Sequence, residues 1–403
     1  FGTGLLNLDL MGERIVVVGK NRYEWCISYL ATTCSNMVIV PIDKALPDIE
    51  MQRLIERSEA KAIIFDEKYL ETIKKVQEKE NSNLKTLICM DNIQEKGIKT
   101  FNEILEEGRN QIKNGDQKYD NIEIDENKMS IMLFTSGTTN EPKAVMLSQA
   151  NICANISNIA CWVKLYPTDV LLSFLPIHHT FECTITFLYG FYSGSQVAFC
   201  DGLKHIQQNL KEYKVSVFVA VPLVLETMYK KIQKAIEEQG KTGLINKMTK
   251  ISNTLLKAKI DIRKIVFKQI LDNFGGNLRV VLYGAAPMNK ATIIGYNNLG
   301  ISLVQGYGLT ETSPVVTAET DKEKRPGSIG LALANLNLKI ANPDNEGVGE
   351  ITVKGPSVML GYYKNPEETK KVLKDGWFST GDYGYKDKDG FVYITGRKKD
   401  IIV

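Results

Sequence analysis

The chain has almost no net charge: 50 Lys and Arg face 47 Asp and Glu, leaving +3 at pH 7 over 403 residues. Nothing in that total calls for nucleic acid, which selects strongly basic faces. Paired cysteines are also missing. The seven present (Cys26, Cys34, Cys89, Cys153, Cys161, Cys183 and Cys200) are scattered, odd in number and never spaced CxxC. That argues against a zinc site or a disulfide framework, and favours a reducing, cytoplasmic compartment. Besides the adjacent His178 and His179 there is only His205, too little for a histidine-based metal cluster. No basic-then-apolar leader opens the sequence. The most apolar stretch, Val170 to Phe199, is broken by Pro176, His178, His179 and Glu182, so it does not read as a membrane span. The first residue is Phe1 rather than methionine, as expected of a fragment.

What is present is ordinary for a globular chain of two or three domains: 43% hydrophobic and 24% charged residues. Short β-branched runs recur between helical patterns, at Arg14–Gly19, Ala62–Phe65, Thr86–Cys89, Ser130–Phe134, Val170–Leu175, Val215–Val221 and Arg279–Tyr283. Each is apolar nearly throughout rather than alternating. That pattern predicts strands buried on both faces, hence parallel sheets covered by helices. From about Arg325 strands shorten and turn signals crowd in, such as Asn342-Pro-Asp-Asn345 and Asp387-Lys-Asp-Gly390, predicting a small β-rich unit.

One segment stands apart. Lys230 to Lys268 carries 11 Lys/Arg against 3 Asp/Glu, a net of +8, with Leu244, Met248, Ile251 and Leu255 at helical spacing. Two readings follow: a solvated helix face over a core, or contact with an anionic membrane surface or charged partner.

The chemistry concentrates in Phe134-Thr-Ser-Gly-Thr-Thr-Asn-Glu-Pro-Lys143, directly after the Ser130–Phe134 strand. Thr135, Ser136, Thr138 and Thr139 offer hydroxyls, Gly137 lets backbone come close, and Lys143 adds a point charge: the parts of an anion cradle. Gly137 to Lys143 has Walker A spacing, but Pro142 precedes the lysine where that motif needs glycine. Proline has no N–H to give a phosphate. The loop is therefore a phosphate loop of another kind.

This stretch resembles the signature loop of the adenylate-forming enzymes, the family of acyl-CoA synthetases, peptide-synthetase adenylation domains and luciferases. Asn140 and Ala144 depart from its usual glycines; asparagine tolerates positive φ better than most residues. Four further motifs follow in order. Gly284-Ala285-Ala286-Pro287 resembles the family's adenine loop, and Gln305-Gly306-Tyr307-Gly308-Leu-Thr310-Glu311 its Y-G-x-T-E motif. Ser379-Thr-Gly-Asp382 resembles the ribose motif, and Tyr393 to Asp400 the segment leading to a hinge.

The resemblance implies roles. Tyr307 would stack on adenine, with Gly306 and Gly308 leaving room for the ring. Thr310 would reach the α-phosphate, Asp382 the ribose hydroxyls, and Arg397 the ribose or phosphate. Glu311 and Thr135 would hold Mg²⁺, a cation that favours carboxylate and phosphate oxygens. His179, or failing that its neighbour His178, would lie beside the reacting carboxylate, since adjacent residues are not expected to point the same way. The implied reaction makes an acyl-adenylate and pyrophosphate from ATP and a carboxylic acid, then a thioester with coenzyme A. Val219–Ile232 and the basic helical segment after it look like long-chain fatty acyl-CoA ligases, an insertion that peptide-synthetase domains usually lack. An aryl or medium-chain acid is the alternative, and a non-catalytic nucleotide- or acyl-binding role the other.

The implied fold is α/β: two doubly wound, largely parallel-sheet subdomains and a small β-barrel subdomain. The expected divisions are 31–165, then 1–30 with 166–325, then 326–397 as the barrel. Residues 398–403 would begin a hinge, at Lys399, with the lid domain that normally follows absent from this sequence. The site would lie where the subdomains meet.

Overall fold

The computed structural model describes residues 1–135, 141–320 and 323–397. The apolar runs become short strands because their side chains are covered on both faces. In β1 (Arg14–Val18), Ile15, Val16, Val17 and Val18 have no exposed surface. Around it assemble β2 (Val38–Pro41), β3 (Ala62–Phe65), β4 (Thr86–Cys89) and β5 (Ile98–Thr100), all parallel, then β6 (Met129–Thr135) and the antiparallel β7 (Lys143–Ser148). The order across this first sheet is β7-β6-β2-β1-β3-β4-β5.

Helices pack on the sheet by local rules. Asp48–Ser58 buries Met51, Leu54, Ile55 and Ser58, one stripe at 3.6 periodicity, and ends at Glu59 in the left-handed region. Thr100 caps the helix Phe101–Lys113 through a capping box with Glu103.

The second sheet repeats the logic. It contains β8 (Val170–Ser173), β9 (Gln196–Phe199), β10 (Val217–Ala220), β11 (Val280–Tyr283) and β12 (Ser302–Gly308), all parallel. The antiparallel β13 (Val315–Ala318) and β14 (Leu331–Ala332) extend it. After these come β15 (Asn337–Ala341), β16 (Gly349–Lys354), β17 (Gly361–Tyr362), β18 (Leu373–Lys374), β19 (Trp377–Lys386) and β20 (Val392–Arg397). Five of them form the antiparallel third sheet, in which β19 pairs with β16 along one edge and with β18 and β20 along the other. β17 instead returns to the first sheet and pairs with β7.

The fold class expected from the sequence is therefore present, with two divisions corrected: 326–397 is not one unit, because β14 belongs to the second sheet and β17 to the first. Residues 1–30 do not join 166–325. β1 pairs on both sides within the first sheet, with β2 and β3. The parallel register of these three strands requires β1 at the centre, which position along the chain alone does not reveal.

The helix Gln149–Trp162 ties the first sheet to the second and to the β16–β17 connection. Its buried Asn155 accepts from Val315 N at 3.2 Å and donates to Val315 O at 2.8 Å, bonding the helix to β13. Asn151 donates to Pro356 O at 2.7 Å and Val358 O at 3.1 Å, just before β17. Buried amides need such partners, so these two residues anchor β13 and the β16–β17 connection to the helix. Among the described residues no helix is long and apolar enough to cross a membrane.

Candidate active site

Two groups of sequence candidates come together. The first forms around the end of β6 and the start of β7. Thr135 faces Lys143 in register, and its hydroxyl donates to Lys143 O at 3.4 Å. The Lys143 ammonium lies 2.8 Å from Glu368 Oε2 and 4.9 Å above the ring centre of Tyr362. Tyr362 in turn donates its hydroxyl to Glu311 Oε1 at 2.9 Å. Lys143 and Glu311 are thus joined through one tyrosine, and Thr135 meets Lys143 at its backbone carbonyl. Thr310 stands beside Glu311 in the short 3₁₀ turn Thr310–Thr312. Ser136, Gly137, Thr138 and Thr139 lie outside the described residues.

The second group spans the second and third sheets. Tyr307, at the end of β12, donates to Asp382 Oδ2 at 2.6 Å, and Arg397 Nε lies 3.1 Å from Asp382 Oδ1. Burial first, and then the Asp382 carboxylate, hold the Tyr307 phenol well above its ordinary range, so it remains a donor. The glycines around it sit in different surroundings. A Cβ on Gly308 would sit 1.9 Å from Pro314 O, so glycine is required by the close backbone turn into β13. At Gly306 the nearest atom would be Thr317 O, at 3.7 Å, an ordinary contact.

The Gly284-Ala285-Ala286 loop lies against Gly306: a Cβ on Gly284 would be 2.8 Å from Gly306 O. Ala285 has φ +69°, a left-handed conformation that costs an alanine on the order of 1 kcal/mol and gathers at functional sites. Gln305 accepts from Tyr283 OH at 2.9 Å, and its N–H donates to the buried Glu319 at 3.2 Å.

The histidine motif departs from expectation. His178 and His179 lie side by side, ring centres 4.1 Å apart, in the turn before the π-helical segment Glu182–Tyr189, with His178 half-buried and His179 exposed at its rim. Burial depresses both imidazoles, and in His178 the neighbouring ring adds to it. Asp43, 3.8 Å from His178 Nδ1, is too distant to offset that burial, so both rings are neutral at neutral pH. Among the described residues no hydrogen bond joins either histidine to Lys143 or Glu311. Phe181, two residues on, would lie 3.6 Å from a Cβ on Gly284, which brings the motif against the adenine-like loop. Beside it opens a mostly apolar pocket lined by Trp162, Phe181, Ile185, Val304, Gly306 and Ala318.

Sequence reading missed Tyr362, Glu368 and Glu182. The first two follow no motif; only the return of β17 to β7 puts them beside Lys143. Glu182 is fully buried, accepts from Thr186 Oγ1 at 2.9 Å, and is pushed up to about 8 by burial. Its place inside an apolar stretch was the available signal.

A family profile described as "AMP-binding enzyme" matches residues 1–363. The chain belongs to the AMP-binding enzyme family. Among relatives of this AMP-binding chain, long-chain-fatty-acid–CoA ligase 6 of Mus musculus is 31% identical over 99% of the chain and 61% of its own length. Long-chain-fatty-acid–CoA ligase FadD15 of Mycobacterium bovis is 29% identical over 99% of the chain and 68% of its own length. The chain thus spans about three-fifths of the mouse relative. In fold it is similar to the N-terminal domain of FACL13 from Mycobacterium tuberculosis, with a TM-score of 0.74 and 21% identity over 98% of this chain and 89% of that one. ATP-bound MatB from Rhodopseudomonas palustris gives 0.76 and 22% over 100% of this chain and 72% of that one.

Proposed function

We propose that this chain carries the acid-activating site of an acyl-CoA synthetase. A carboxylate oxygen attacks the ATP α-phosphorus, the bond to the β-phosphate oxygen breaks, and pyrophosphate leaves with that electron pair. The sulfur of coenzyme A then attacks the acyl carbon and AMP departs. The observation that carries the reading is the Lys143–Tyr362–Glu311 chain, which joins a carboxylate to the lysine that ends the phosphate-cradle sequence.

In this reading Lys143 receives a phosphate oxygen and Thr310 the α-phosphate. Gln305, Gly306, Tyr307 and the Gly284–Ala286 loop receive the adenine, while Asp382 and Arg397 receive the ribose. Among the described residues no three His, Cys, Asp or Glu converge on a metal position. Mg²⁺ is usually held by one or two carboxylates together with substrate phosphates. Glu311, oriented by Tyr362, and Thr135 would hold it. When bound, Mg²⁺ neutralises phosphate charge where two anions must meet. His179 or His178, both neutral, offers a hydrogen bond near the carboxylate without adding charge.

For the acid we propose a long-chain fatty acid. Curated relatives bear the name long-chain-fatty-acid–CoA ligase. ATP–pyrophosphate exchange across acids of increasing chain length, with aryl acids alongside, tests this. Exchange that peaks with aryl or medium-chain acids would reassign the substrate, and no exchange with any acid would favour a non-catalytic nucleotide-binding role. A reducing, cytoplasmic setting belongs to the same proposal.

Peripheral contact with an anionic membrane is favoured by a separate observation. In the basic segment Leu244, Ile251 and Ile265 are 52%, 42% and 79% exposed, while among the same residues Ile245 and Met248 pack inward. Lysines beside exposed aliphatic side chains match the chemistry of a charged lipid surface.

A further inference from the structure

Lys143 reaches Glu368 across a sheet edge that chain order does not suggest, 225 residues apart. Glu368 belongs to a compact clip. Leu360 N and Tyr363 N bond Met146 O and Ala144 O at 3.0 and 2.8 Å, stitching the clip to β7. Tyr362 N donates to Thr369 Oγ1 at 2.9 Å, and Glu368 N to Asn365 Oδ1 at 3.1 Å. The carboxylate is therefore held by folded backbone and does not meet Lys143 as a loose surface side chain. Both partners still touch solvent, at 18% and 27% exposure, so a dissolved anion can reach the ammonium.

We propose that Glu368 is a placeholder anion: it holds the Lys143 ammonium where a phosphate group takes it, and yields it when that phosphate binds. This rests on the reading of Lys143 as a phosphate ligand. The exchange is either-or, because a phosphate and a carboxylate on one ammonium repel each other. It is also easily reversed. Partly exposed ion pairs are weak, and Glu368 keeps a second cation, Lys371, after Lys143 leaves. Hydrogen bonds from Lys143 and then Lys371 hold the Glu368 carboxyl down at about 2, so protonation does not release Lys143 at physiological pH; competition does. Tyr362, whose ring lies under the ammonium, stays with it throughout. Glu368 thereby weakens phosphate binding and speeds pyrophosphate release.

The test is calorimetric titration of the chain with Mg²⁺ and inorganic pyrophosphate, and separately with ATP. Glu368→Gln should tighten pyrophosphate about two- to fivefold, the scale of a partly exposed pair. Glu367→Gln removes the same charge from the neighbouring carboxylate, which pairs with Lys370, and should leave affinity unchanged. In a Lys143→Met background the Glu368→Gln effect should vanish. Glu368→Asp, which keeps the charge and the helix, should bind like the parent or up to about twofold tighter. Weaker or unchanged binding by Glu368→Gln, or equal tightening by Glu367→Gln, overturns the placeholder while ATP binding by the parent keeps the proposed function. A parent that binds neither ATP nor pyrophosphate overturns both.

Discussion

Tyr307 donates its hydroxyl to Asp382 at 2.6 Å, a bond that crosses from the second sheet to the third. The two come from separate motifs, and Arg397 completes the group from the next strand. Asp382 is thereby fixed with one oxygen on Tyr307 and the other on Arg397.

Asp382→Ala should weaken ATP and AMP binding alike, because both carry the same ribose hydroxyls, and should leave pyrophosphate binding unchanged. It also strands the buried Tyr307 hydroxyl, at a stability cost of about 1–3 kcal/mol. Asp382→Ala combined with Tyr307→Phe should recover part of that stability but not the AMP affinity. Calorimetry with AMP and urea denaturation separate the two effects. Unchanged AMP binding would remove Asp382 from the site.

Glu311→Gln keeps the hydrogen bond that Tyr362 donates to Oε1 but removes the charge. Charge-assisted contacts are worth about 1.5–3 kcal/mol, so exchange of pyrophosphate into ATP should fall by about tenfold or more with the melting temperature nearly unchanged. Parental exchange rates would show that Glu311 is not the magnesium carboxylate.

These two groups show how much the sequence disclosed. Strands such as Ala62–Phe65 and Val280–Tyr283 were legible because burial on both faces leaves an unbroken apolar run. β7, β12 and β17 were not, since Lys143, Gly306-Tyr307-Gly308 and Gly361 interrupt theirs. Motifs named Lys143, Glu311, Tyr307 and Asp382 but could not join them. Tyr362 and Glu368 were invisible because their importance comes from pairing between β17 and β7, more than two hundred residues apart in sequence. The placement of residues 1–30 failed for the same reason: sheet order is a long-range property.

The basic helix Thr242–Lys257, inside the Lys230–Lys268 segment with its net charge of +8, predicts a salt dependence. Vesicles rich in anionic lipid should retain the chain at low ionic strength and release it as screening shortens to about 8 Å near 0.15 M salt. Ile251→Ser should weaken retention without destabilising the fold, because its side chain is 42% exposed. Cosedimentation measures both. No retention at low salt leaves these lysines as a solvated helix face.

The titratable groups at the histidine motif predict opposite pH slopes. His178 and His179 are depressed by burial from an ordinary 6.5, so below about pH 6.5 the unfolded chain takes protons that the folded chain refuses. Their contribution is fully present above that value and is lost as pH falls. Glu182 works the other way. Its carboxyl rises from 4.5 to about 8, so between those values the folded chain keeps a proton that the unfolded chain has released. Its contribution is full below pH 4.5 and declines as pH rises towards 8, by at most about 1.4 kcal/mol per pH unit. Glu182→Gln, an uncharged side chain of nearly the same shape, should flatten the loss between pH 5 and 8 while leaving the acid limb. His178→Gln should soften the acid limb and leave the other. Urea midpoints measured from pH 4 to 9 on the three proteins separate these contributions. A Glu182→Gln profile parallel to the parent between pH 5 and 8 would show that the buried carboxyl does not hold its proton in the folded chain.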